Sequence, residues 1–185
     1  MRWRRSTLLV AALAGLAGCG PGNGLTLGRV HGTISVEGEP VRLGYVTFLP
    51  DSKAGTNGPP ATSSIREDGS FGISTEQSDD GAIVGTHKVA VIALDPHPLA
   101  GEDLPQPEDD PDKFLAAKGQ GQRRLARAKK SAGPTYKARD GKTYRVLVPE
   151  RLMNPETSGI TVKVGRGSNT IKIALKKDGT AEVAD

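Results

Sequence analysis

The side chains best suited to chemistry in this chain are three histidines, two acidic clusters, one cysteine and one basic run. His31 and His87 fall in segments patterned as strands and would meet only if those strands were neighbours. A zinc site needs three or four ligands, and two imidazoles alone do not make one. His97 stands between Pro96 and Pro98 with no obvious partner. Glu76, Asp79 and Asp80, or the run 108–112, offer carboxylate oxygens of the kind calcium takes. Neither has the spacing of an EF-hand loop, and both read more simply as solvated turns. Serine, histidine and aspartate are all present, yet no G-x-S-x-G elbow occurs. An enzyme is therefore not expected, nor a metal or cofactor. Arg123, Arg124, Arg127, Lys129 and Lys130 form the basic run. Beside a negative membrane surface such cations contribute about 1 kcal/mol each. They suit anionic headgroups, lipopolysaccharide or acidic glycan. A solvated helix face, or pairing with the acidic stretch 102–112, would use the same charges.

Cys19 is the only cysteine, and its surroundings set the organisation of the chain. Arg2, Arg4 and Arg5 precede an apolar run over 8–16 and then small residues, the layout of a secretory signal. The run is far shorter than the roughly 20 residues a spanning helix needs. Leu16-Ala17-Gly18-Cys19 resembles the lipobox of bacterial lipoproteins. That resemblance implies cleavage between Gly18 and Cys19, a thioether-linked lipid, and acylation of the new N-terminus. Gly20 stands where an inner-membrane retention signal often has Asp, which favours the outer membrane. Arg4-Arg5 does not make a twin-arginine signal, because Thr7 occupies the expected apolar position.

Processing also changes the electrostatic argument. The formal +4 includes the three leader arginines, so 19–185 carries only +1. The basic pI of 9.3 gives no support to nucleic-acid binding. With Cys19 lipidated, no thiol remains for a disulfide, a metal or a nucleophile. Only 4% of residues are aromatic, against 24 glycines and 13 prolines. This mix favours short strands with many turns in one domain over a helical bundle.

The elements follow from periodicity. A flexible tether is expected over 19–28, then a period-two strand over 29–36, the turn Glu37-Gly38-Glu39-Pro40, and a strand over 41–49. Asp68-Gly69 between 61–65 and 71–74 signals a hairpin. The run 85–94 reads as a central strand covered on both faces. An insertion at about 95–142 reads as a mobile acidic arm and then one or two short helical turns, since Gly119 and Gly121 weaken any helix. Ile160, Val162 and Val164, then Ile171, Ile173 and Leu175, alternate as a hairpin with one wet face. A polar tail, 176–185, is expected to fray. The count is about seven strands in a single domain over 29–175, at sandwich spacing.

These strands carry a second resemblance. Gly28-Arg29-Val30-His31-Gly32, Gly38-Glu39-Pro40-Val41 and Gly44-Tyr45-Val46-Thr47-Phe48 resemble the opening of carboxypeptidase regulatory-like (transthyretin-like) domains. Glu67-Asp68-Gly69-Ser70-Phe71 resembles their next hairpin and Gly85-Thr86-His87-Lys88-Val89 their later strand, with Arg66 and His87 departing from the usual Asp and aromatic. Val148-Pro149-Glu150 and Asn154-Pro155-Glu156-Thr157-Ser158-Gly159 are similar to segments of small envelope lipoproteins carrying this domain. The resemblance implies an all-β fold, a seven-stranded Greek-key (transthyretin/Ig-like) sandwich, and usually a non-catalytic accessory role. The expected function is that of a lipid-anchored envelope module that binds or assembles with a protein or glycan partner. The alternative is a carbohydrate-binding accessory of polysaccharide use. Sugar stacking would fall to Tyr45, Tyr136 and Tyr144, since Trp3 leaves with the leader. A hydrolytic enzyme is the third reading, without a constellation to support it.

Overall fold

The computed structural model describes residues 25–99, 111–130 and 133–184. Gly18, Cys19 and the acidic arm through 110 lie outside the described residues. Strand β1 (Leu27–Val36) alternates as its sequence requires, with Val30, Ile34 and Val36 buried and Arg29, His31 and Thr33 turned outward. Glu37 and Gly38 then both take positive φ, 53° and 85°. A two-residue hairpin loop needs this twist, and it returns β2 (Glu39–Pro40) antiparallel against Ser35 and Val36. Strands β3 (Leu43–Pro50) and β4 (Ala61–Ile65) follow, then β5 (Ser70–Gly72), β6 (Ala82–Ile83) and β7 (Gly85–Leu94). After helix α1 (Pro111–Lys130) come β8 (Thr135–Lys137), β9 (Thr143–Arg145) and the short α2 (Pro155–Ser158). Strands β10 (Ile160–Val164), β11 (Ser168–Leu175) and β12 (Ala181–Ala184) complete the described chain.

Two sheets face each other across one core, as in an all-β sandwich. One is antiparallel, in the order β10-β7-β3-β4. The other is mixed, in the order β12-β11-β1-β2, with β5 and β6 also paired to β1. Its β1–β11 ladder is parallel from Arg29↔Ser168 to Val36↔Leu175. Val46, Phe48, Val89 and Val91 of the first sheet meet Ile34, Phe71, Ile171 and Ile173 of the second. Strand β7 lies between β3 and β10 and is buried on both faces at Ala90 and Leu94, as a central strand should be. Its outer face is covered by α2 and by the turn that buries Leu152.

Several expectations are corrected. The tether does not extend to Gly28, because β1 begins at Leu27 and Gly28 pairs with Ala82. Any Cβ at Gly28 would collide with the Gly165 carbonyl, so local polarity misled where close packing decides. The segments 160–164 and 168–175 do not form a hairpin, since β10 joins β7 and β11 joins β1. Each still buries one face. Alternation specifies which face is buried but not which sheet supplies the partner. Nor does the tail fray from 176. A turn with Gly179 at φ 91° returns β12 along β11, and Arg151 Nη2 donates to the Gly179 carbonyl at 2.7 Å. The insertion holds one continuous 20-residue helix rather than isolated turns. Two glycines cost about 1 kcal/mol each relative to Ala. Pro111 at the start, Asp112 in the first turn and the Ala, Leu, Gln, Lys and Arg content offset that. Twelve strands form among the described residues, seven of them four residues or longer.

The two ends of β7 have different neighbours. The described chain enters beside its start, where Val84 N–H donates to the Thr26 carbonyl. The insertion's stems lie at its other end, where Leu94 bridges Val146 and Asp95 N–H donates to the Arg145 carbonyl.

Candidate binding cleft

A cleft of about 530 Å³ runs along the flank where β4 and β5 join the two sheets. This lies within the roughly 300–1,000 Å³ usual for ligand sites. Its floor follows from register. On the outer face of the antiparallel sheet, Tyr45 stands between Ile92 and Ser64, and Thr47 stands beside Thr62. The hairpin at Asp68-Gly69 closes one side. Arg66 N–H donates to the Ser70 carbonyl, and Thr62 and Ser74 exchange both backbone bonds at 2.8 and 3.0 Å. Gly69 takes φ 82° in that turn, while Asp68 Oδ1 accepts from Ser70 N–H.

The opposite wall comes from the end of the insertion. Strands β8 and β9 pair with each other, and Leu147 N–H donates to the Ala93 carbonyl. This brings the Tyr136 ring over Tyr45, with centroids 6.1 Å apart and planes tilted by 49°. Arg139 lines the same wall. The turn behind it is fixed by Asp140, which accepts from Tyr144 Oη at 2.7 Å and from Lys142 N–H at 2.9 Å. The Tyr144 hydrogen bond comes first in holding the Asp140 carboxyl below its usual range. The same bond pushes the Tyr144 phenol up to about 12. Of the three candidate stacking residues, two therefore meet in the cleft, while Tyr144 is a buried strut behind it.

The third wall is the loop 75–80. Burial opposes ionisation of Asp80, but backbone N–H groups of Thr75, Glu76 and Gln77 outweigh it and hold its carboxyl low. The acidic cluster is thus divided. Asp80 caps the loop, and Asp79, held at φ 57°, lines the cleft. Gly72 makes this possible, since a Cβ there would collide with Asp79 Oδ1. Local reading of the sequence missed Arg66 and Arg139 and offered Asp79 only as a calcium ligand, because nothing in it shows that these three segments converge.

The remaining candidates lie elsewhere. His31 is exposed on β1 and His87 is buried on β7, in different sheets, so they do not meet. His97 does have a partner: its Nδ1 lies 3.1 Å from Asp95 Oδ1, and its backbone N–H donates to the same oxygen. Arg123 is exposed on α1; Arg124, Arg127, Lys129 and Lys130 lie on the same helix, with side chains outside the described set. No described helix is long and apolar enough to cross a membrane.

His87 carries a pH prediction. Its ring packs edge-on against Phe48, with centroids 6.0 Å apart, and neither nitrogen has a hydrogen-bond partner. Burial pushes its pKa below 6.5 and outweighs the opposing influence of the Gly85 backbone. The unfolded chain therefore takes up the proton first. The neutral imidazole's contribution is complete above pH 6.5 and is lost as pH falls through the lower folded value. The slope in that window should approach, and not exceed, about 1.4 kcal/mol per pH unit. Urea unfolding of native and His87→Leu protein between pH 7.5 and about pH 5 should show this slope only in the native chain. Equal slopes would assign the effect to other groups.

Comparison with family models, with curated proteins and with solved structures finds no match to this chain.

Proposed function

We propose that the chain is a lipid-anchored, non-catalytic binding module of the cell envelope, held through Cys19 and offering the Tyr45–Tyr136 cleft to a ligand. The cleft carries this reading. Its aromatic rings, hydroxyls, two guanidinium groups and one carboxylate are groups that hold and orient a ligand. The leader pattern up to Gly18-Cys19 supports export and anchoring, with the outer membrane favoured by Gly20. Kinship with carboxypeptidase regulatory-like domains, and with their seven-stranded Greek key, belongs to the same proposal. It is supported by the two facing sheets and by the left-handed glycines at 38 and 69 in the matching turns. Carbohydrate binding is a second reading, favoured by the tyrosine pair and compatible with the first.

The test compares tagged native protein with a Cys19→Ser form by membrane fractionation, N-terminal peptide mass and in-cell crosslinking. Native protein is expected in the outer-membrane fraction with a lipid-modified Cys19. The variant is expected to lose the lipid and most membrane recovery. Soluble native protein with a free thiol at Cys19 would overturn the anchor.

A further inference from the structure

We infer that the cleft takes an acidic glycan, a sugar chain bearing carboxylate groups. This rests on reading the chain as a binding module and names its ligand class. A sugar ring presents an apolar C–H face and a rim of hydroxyls. Tyr45 and Tyr136 supply aromatic surface of the kind that accepts such a face. Thr62, Ser64, Ser74 and Ser78 supply short donors and acceptors for the rim, and Asp79 adds a carboxylate acceptor.

Charge selects the acidic class. Arg66 and Arg139 stand on two walls of the cleft, against the single carboxylate of Asp79. A guanidinium suits a carboxylate through paired N–H donors. Arg66 makes one 3.3 Å bond to Ser70 Oγ, which leaves other donors of its fork for a ligand. The segment bearing Tyr136 and Arg139 also follows α1, whose residues carry seven cations against Asp112 alone. A peptide strand is a poorer fit. The outer edge of β4, where it would add, is already bonded at Thr62 to Ser74 and at Arg66 to Ser70.

The experiment measures binding of detergent-solubilised native protein to polygalacturonate and to its methyl ester, by calorimetry at low and high salt. The acidic polymer should bind, and the ester about tenfold more weakly or less. Arg139→Gln, a change at an exposed side chain, should weaken the acidic polymer by about tenfold and leave the ester unchanged. Tyr136→Ala should weaken both by about tenfold. Arg66→Gln, also at an exposed position, repeats the charge test should Tyr136→Ala prove unfolded. Equal affinity for both polymers, or insensitivity to both arginine changes, would overturn the acidic assignment. Absence of binding to either would overturn the glycan assignment. The anchored-module reading is judged separately, by membrane recovery and crosslinked partners.

Discussion

Phe71→Ala should lower the free energy of unfolding by about 3–5 kcal/mol, the range for deleting a buried phenylalanine. The ring is 1% exposed and projects from the three-residue strand β5 into the space between the sheets. It meets Phe48 of the opposite sheet edge-on, with centroids 6.3 Å apart. Its strand is bonded to β1, which in turn is held along eight register positions of β11. Walls so braced relax little into a void, so much of the cavity should persist and the cost should fall toward the upper end. Equilibrium urea unfolding measures it directly. A loss below about 1 kcal/mol would mean that the sheets close over the gap.

Gly32→Ala should be almost as damaging, about 3 kcal/mol or more, at the top of the range for overpacking. Gly32 pairs with Ile171 on one side and Phe71 on the other. A methyl group there would collide with the Ile171 carbonyl oxygen and sit 2.6 Å from Phe71 Cζ. The ring belongs to a side chain, but the carbonyl is fixed by the parallel ladder. The double change Gly32→Ala/Phe71→Ala should therefore not recover the cost of the first. Full recovery in that cycle would assign the whole clash to the ring. Denaturant midpoints of the four proteins in the cycle give the answer.

These two residues also show how far the sequence can be read. The alternation Val30, Ile34, Val36 is enough to orient β1, because a period of two has only two faces to choose between. Gly32 fits that rhythm without revealing that Phe71, 39 positions on, needs its missing side chain. The Asp68-Gly69 turn was legible because a left-handed residue is a local requirement. The pairing of β11 with β1 was not, since 160–164 and 168–175 carry equally good apolar faces for either sheet. The helix through Gly119 and Gly121 shows a local penalty outweighed by the sum of its neighbours. The cleft is the hardest case. Tyr45 and Tyr136 were visible as stacking candidates, but their meeting depends on the β8–β9 ribbon docking beside Ala93 and Leu94.

The opposed ends of β7 give the molecule a direction. Ten residues of strand rise by roughly 33 Å at most. With the proposed attachment at Cys19, the sandwich becomes a pedestal. It would turn Tyr136 and the insertion's stems toward the end of β7 opposite the one beside which the described chain enters.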